Sequence, residues 1–232
     1  MKRILVVNPI GTDAWDSSDQ DYLSNQASKD TVVEVTSLKE APTSIETYYQ
    51  QASSAPKVLE VIRENKHDYD AFIVNCFADP AIMAAREIVD VPVVGPGETS
   101  MIIATMLGHK FGIVGVSKKS DPMFTEKALA LGLEQRLAGV ISIKIGVNQL
   151  LADHDATQGE ILRAANNLVE EKDAEVIVLG CTGMLSFVEG LRYKLQVPVV
   201  EPAVTALKVA EALVELGLTH SKIALYSKPE TC

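Results

Sequence analysis

Tyr69-Asp70-Ala71-Phe72-Ile73-Val74-Asn75-Cys76, followed by Val91-Pro92-Val93-Val94, returns later in the chain. The second copy is Asp173-Ala174-Glu175-Val176-Ile177-Val178-Leu179-Gly180-Cys181, followed by Val197-Pro198-Val199-Val200. The cysteines lie 105 positions apart and the two tetrads 106, so the spacing is kept to within one residue. Upstream, Lys57-Val58-Leu59-Glu60 corresponds to Glu160-Ile161-Leu162-Arg163, and the apolar run 4–8 to 111–116. Self-similarity on this scale reads as a duplicated supersecondary unit.

Working outward, short β-branched runs predict strands at 4–8, 31–36, 71–75, 93–94, 111–116, 141–144, 176–180, 199–200 and 222–226. Longer amphipathic stretches predict helices at 16–28, 55–65, 80–89, 99–107, 123–131, 157–170, 184–194 and 203–216. Alternation of this kind implies parallel sheets joined by crossover helices. The expected fold is therefore α/β, with two pseudo-symmetric Rossmann-like lobes. Each lobe is a roughly four-stranded parallel sheet flanked by helices. The expected division gives 1–97 plus 206–232 to the first lobe and 98–205 to the second. Ligands of open α/β sheets collect beyond the carboxyl ends of the strands, which predicts an active site in a cleft between the lobes.

Composition narrows the function. Hydrophobic residues make up 47% and charged ones 22% of the 232 residues, a globular rather than disordered balance. The formal charge is −10 and no Lys/Arg stripe is visible, which argues against nucleic acid as a partner. No apolar run approaches the length of a membrane span. Met1-Lys2-Arg3 is followed only by a strand-length apolar run ending at Asn8-Pro9, so no secretory signal is read and a cytoplasmic setting is expected. Three cysteines without a CxxC argue against a disulfide framework. Cys232 is read as frayed.

Cys76 and Cys181 each end an apolar strand and open a turn leading to a helix. Asp79 reads as an N-cap with Pro80 as the first helical residue, and Thr182 as a second cap followed by a permissive Gly183. Thiols near helix starts ionise more readily, and the turn amides can hold a carboxylate or an oxygen gaining charge. Two thiols on opposite sides of one carbon suit proton removal beside a carbonyl by one and proton return by the other. The alternative for either cysteine alone is a small buried hydrophobe; the pairing within the repeat favours chemistry.

At these residues the sequence resembles the aspartate/glutamate/hydantoin racemase superfamily, and within it the hydantoin/allantoin branch. The matching pieces are Val7-Asn8-Pro9, Asn75-Cys76-Phe77-Ala78-Asp79-Pro80, Val94-Gly95-Pro96-Gly97-Glu98 and Gly180-Cys181-Thr182-Gly183-Met184. Cys-Phe-Ala and Cys-Thr-Gly-Met look like the hydantoin side, whereas Asn8-Pro9-Ile10-Gly11-Thr12 departs from that branch's usual Asn-Pro-Asn-Thr. The resemblance implies a cofactor-independent, metal-free isomerase with Cys76 and Cys181 as acid and base. It also implies a small-molecule substrate, a hydantoin or amino-acid derivative, and a homo-oligomer. Bordering the substrate it implies Asn8, Pro9, Ile10, Phe77, Gly97, Glu98, Ser117, Thr182, Gly183, Glu201 and Pro202. Each has a plainer reading: Asn8-Pro9 and Glu201 as strand ends, Glu98 as a first-turn acid, Ser117 as a solvated loop.

Other readings stay open: an aspartate/glutamate racemase, a cysteine-dependent isomerase or decarboxylase on the same scaffold, or a two-lobed binding protein without chemistry. Asp153-His154-Asp155 reads as a solvated helix lead-in rather than a metal site. His67, His109 and His220 are expected on the surface. Gly95-Pro96-Gly97-Glu98 lacks the spacing of a phosphate loop. Asp13, Asp16, Asp19 and Asp21 are read as serving the first helix's dipole and solubility.

Overall fold

The structure, a computed structural model, describes residues 1–230; Cys232 lies outside the described residues. Two units divide the chain, Met1–Pro96 with the described residues from Ala206 onward, and Gly97–Thr205.

In the first unit β1 (Lys2–Asn8), β2 (Thr31–Ser37), β3 (Ala71–Val74) and β4 (Val93–Val94) form one parallel sheet in the order β2-β1-β3-β4. All four residues of β3 are buried, as expected where helices cover both faces of a sheet. Leu5, Val7, Phe72 and Val74 pack with Val58 and Ile62 of α2 (Tyr48–Glu64) and Ile82 and Ala85 of α3 (Ile82–Ile88). Helix α1 (Asp16–Gln26) is tied to β2 by Gln20, whose amide nitrogen donates to the Val33 carbonyl at 2.6 Å and whose oxygen accepts from Val35 N–H at 2.9 Å.

The second unit repeats the plan. Its strands β5 (Phe111–Gly115), β6 (Leu137–Ser142), β7 (Val176–Leu179) and β8 (Val199–Val200) lie in the order β6-β5-β7-β8, again all parallel. The central β7 is wholly buried and packs on Ile161, Ala165 and Leu168 of α6 (His154–Lys172). Helices α4 (Pro96–Leu107), α5 (Ser120–Ala130) and α7 (Val188–Lys194) complete the set, and α8 (Pro202–Glu215) starts here but belongs to the first unit from Ala206 onward. The identical strand order in both sheets is the duplication read from the sequence.

Four expectations need correction. Residues 222–226 form turns and not a strand. Lys222 Nζ donates to the carbonyls of Arg86 and Val89 at the end of α3, and Ile223 is 94% exposed, so no ladder forms. His220 is not a plain surface residue: its Nε2 accepts from Val93 N–H at 2.8 Å, occupying the edge of β4, and burial together with Arg86 pushes it down to about 4. Helix α2 begins seven residues earlier than expected and carries Pro56 inside it. Thr47 Oγ1 accepts from Gln50 N–H at 3.1 Å while Gln50 Oε1 accepts from Glu46 N–H at 2.8 Å. That reciprocal cap fixes the start, at the cost of the one hydrogen bond Pro56 cannot donate. Strand β6 starts at Leu137 rather than 141, pairing along the whole of β5.

No helix among the described residues is long and apolar enough to cross a membrane.

Candidate active site

In the first unit the carboxyl ends of β1 and β3 are adjacent, with Val7 beside Val74. The next residue, Asn75, donates its backbone N–H to the Val7 carbonyl at 2.8 Å. In the second unit Val114 stands beside Leu179, and Gly180 donates its N–H to the Val114 carbonyl at 2.8 Å. The residue after each of these is the cysteine. Cys76 and Cys181 thus occupy equivalent points, one position beyond the last ladder bond of the third strand of each sheet. Both are half-buried thiols outside any disulfide.

The turns that follow differ. Cys76 N–H bonds the Val74 carbonyl at 2.7 Å, making Asn75 the centre of a three-residue turn. Asp79 N–H then bonds the Cys76 carbonyl at 2.9 Å. Asp79 is not the expected N-cap: Asp79 and Ala81 take left-handed φ of 52° and 62° around Pro80, and α3 starts only at Ile82. A proline at 80 disfavours a helical residue before it, which delays the helix. Asp79 is buried against Gly95, where an added Cβ would lie 2.6 Å from its carboxyl carbon, so a side chain there would push the Asp79 carboxyl aside. After Cys181 the chain runs into six residues of 3₁₀ helix, Thr182–Phe187, before α7. Cys181 is its N-cap, extended at φ −156°, and Thr182 is the first helical residue rather than a cap. Gly180 cannot carry a side chain, since a Cβ would meet the Val114 carbonyl oxygen at 2.8 Å.

Around Cys76 lies a buried polar network. Asn8, at the end of β1, donates to Asp16 Oδ1 at 2.8 Å and to Asp19 Oδ2 at 3.1 Å. Its oxygen accepts from Asn75 Nδ2 at 2.8 Å. Asp16 in turn accepts from Ser37 N–H at 3.0 Å, at the end of β2. Burial pushes the Asp19 carboxyl up to about 6; the Asn8 hydrogen bond pulls it down, and Asp16 adds repulsion. Pro9 and Phe77 are buried and Ile10 half-buried.

In the second unit Ser117 follows β5 in a turn where its N–H donates to Ser120 Oγ at 3.2 Å. The hydroxyl of Ser117 is enclosed and has no hydrogen-bond partner among the described residues. Gly97 and Glu98 lie in the first turn of α4, buried and half-buried. Among the described residues no group of three His, Cys, Asp or Glu could hold a metal ion.

Known proteins share this plan. Residues 4–210 match the profile of the Asp/Glu/Hydantoin racemase family. The chain belongs to that family. A hydantoin racemase of Pseudomonas sp. (strain NS671) is 35% identical over 98% of this chain and 92% of its own length. Among solved structures, allantoin racemase from Klebsiella pneumoniae superposes with a TM-score of 0.95 at 30% identity, covering 100% of this chain and 95% of that one. Allantoin racemase from Pseudomonas fluorescens gives 0.95 at 31%, covering 99% and 98%. The protein is an enzyme of the isomerase class, a racemase.

Two parts of this racemase were not legible beforehand. Asp16 and Asp19 are not solubilising residues; both are bonded into the strand ends beside Cys76. Glu201 is 2% exposed, and its carboxylate accepts from Ala203 N–H at 2.8 Å and Val204 N–H at 2.7 Å. It caps α8, with Pro202 as the first helical residue. Glu201→Ala is expected to cost about 2 kcal/mol, the sum of a lost cap and an exposed helix start. A melting temperature lowered by several degrees in calorimetry would show it; an unchanged melt would assign the carboxylate elsewhere.

Proposed function

We propose that the protein racemises a 5-substituted hydantoin or allantoin without cofactor, using Cys76 and Cys181 as a thiolate base and a thiol acid. One sulfur removes the proton from the stereogenic carbon beside the carbonyl, and the electron pair moves into the carbonyl to give an enolate. The other sulfur gives its proton to the opposite face, and the configuration inverts. In the reverse direction the two exchange roles, which is why the chemistry calls for two equivalent groups. The observation that carries the reading is the placement of both cysteines at the same point of two repeated sheets. Hydantoin and allantoin are chosen because relatives with those activities match over nearly the whole chain at 35% and 30% identity, whereas a glutamate racemase of the same fold is only 14% identical.

The strand-end residues named from the sequence are proposed to border the substrate. Ser117 is the best supported of them, because its enclosed hydroxyl has a hydrogen bond to give. The resemblance supports a homo-oligomer, which light scattering on the purified chain tests, and thiols at Cys76 and Cys181 outside any disulfide suit a reducing, cytoplasmic setting.

Polarimetry on optically pure 5-substituted hydantoins, allantoin, aspartate and glutamate decides the substrate. Rotation is expected to decay to zero for a hydantoin or for allantoin, with deuterium entering the chiral carbon from heavy water. Chelators and carbonyl-trapping reagents should leave the rate unchanged, and iodoacetamide should abolish it. Decay only with aspartate or glutamate would move the substrate to free amino acids. Full activity after alkylation would end the thiol mechanism.

A further inference from the structure

Helix α1 buries only two residues, Leu23 and Asp19. They are four positions apart and share one face. An apolar residue at 19 would cover the sheet without penalty, whereas a buried carboxylate costs several kcal/mol unless fully bonded. Asp19 is 5% exposed, and a single oxygen, Oδ2, receives Asn8 Nδ2 at 3.1 Å and Asn75 Nδ2 at 3.3 Å. The Asn75 amide is held from two sides, because it also donates to Asn8 Oδ1 at 2.8 Å. Asn75 is the central residue of the turn closed by Cys76 N–H to Val74 O. Fixing its side chain fixes the direction in which the next residue leaves the sheet.

We propose that Asp19 is a positioning residue for Cys76: through the Asn75 amide its carboxylate sets the turn that presents the thiol, and its protonation relaxes that hold. The inference rests on reading Cys76 as an acid–base group. On α1, Asp16 is the charged neighbour. From β1 Asn8 faces the carboxylate, and from the turn after β3 Asn75 does, with Cys76 next in the chain; from β2 Ser37 reaches Asp16. These groups carry no positive charge; the Asn8 hydrogen bond opposes the effect of burial only in part, and Asp16 adds to it. The carboxyl therefore titrates at about 6, within reach of working conditions.

Charge and position act on the sulfur in the same direction. The carboxylate is bonded to the residue before Cys76, and a negative charge in a thiol's neighbourhood disfavours the thiolate, while the turn it holds sets how the thiol is presented. Loss of the proton acceptor should make Cys76 react faster than its own ionisation alone predicts. Alkylation by iodoacetamide, read separately at Cys76 and Cys181 by peptide mass spectrometry, tests this on the full chain without substrate.

Between pH of about 5 and about 9, Cys181 should follow one thiol ionisation. Cys76 should show a second step near 6, its rate below that step exceeding the single-ionisation curve at least about threefold, the effect of half a pKa unit. Asp19→Asn keeps the shape and an acceptor but removes the charge. It should lose the step and alkylate Cys76 at least about threefold faster at pH near 7.5, with Cys181 unchanged. A single ionisation at Cys76 in the unsubstituted chain overturns the proposal, as does an Asp19→Asn profile identical to the unsubstituted one. The unsubstituted profile decides the matter even if the variant does not fold. Because no substrate is present, a two-step Cys76 profile stands whether or not a hydantoin is racemised, and polarimetry judges that reading separately.

Discussion

Cys76→Ser and Cys181→Ser proteins are each expected to racemise at roughly 10⁻² to 10⁻⁴ of the unsubstituted rate, the range supplied by a well-placed general acid or base. Serine keeps the size of the side chain but not its chemistry, since a hydroxyl is not ionised near neutral pH. Both cysteines are half-buried at strand ends, so the swap should leave the melting temperature nearly unchanged and the loss can be assigned to the proton transfers. The single variants should not be equally dead in every assay. With one base intact, each should still exchange the proton of one enantiomer for deuterium, and the two variants should favour opposite enantiomers. The double variant should exchange neither. Racemisation within a few-fold of normal in either single variant would remove the two-base scheme, and exchange of the same enantiomer by both would remove the assignment of one face to each sulfur.

What made the cysteines legible was repetition rather than their surroundings. The runs at 71–74 and 176–179 are apolar at every position because the strands they form are covered on both faces, and each cysteine sits two positions beyond its run. Periodicity failed where the partner of a segment was not a sheet. Residues 222–226 have the composition of a strand, yet Lys222 and Tyr226 spend their polar atoms on α3, through the carbonyls of Arg86 and Val89 and the guanidinium of Arg86.

The Asp19 network was invisible for a related reason. Asp16-Ser17-Ser18-Asp19-Gln20-Asp21 is polar throughout, so no apolar stripe marks which carboxylate turns inward. Leu23, four residues on, was the available signal: a helix whose first clear hydrophobe is at 23 must bury position 19 beside it. Glu201 could not be told from a substrate contact for a different reason, because a carboxylate at a strand end before Pro202 serves either use equally well from sequence alone.

Asp19→Asn is expected to melt higher than the unsubstituted chain above pH of about 7, and the gain should vanish as the pH falls towards 4. The Asp19 carboxyl stands at about 6 in the folded chain against an ordinary 3.8. The folded state therefore binds a proton that the unfolded state has released between those values. The contribution of this group to stability is complete below 3.8 and is lost as the pH rises through 6. At neutral pH the ionised carboxylate is thus a net penalty, at most about 3 kcal/mol for a shift of this size and roughly 1–2 kcal/mol once Asn8 and Asn75 retain an acceptor in the variant. His220 has the opposite sign. Its imidazole is held neutral down to about 4, so the stability it gives is present above its ordinary value and fades as the pH drops. Comparing variant with parent at each pH cancels that background and isolates Asp19. A melting temperature lower than the parent's at neutral pH would make the charge a structural asset. A higher one, together with slower racemisation, is the signature of a carboxylate kept at the expense of stability for the sake of Cys76.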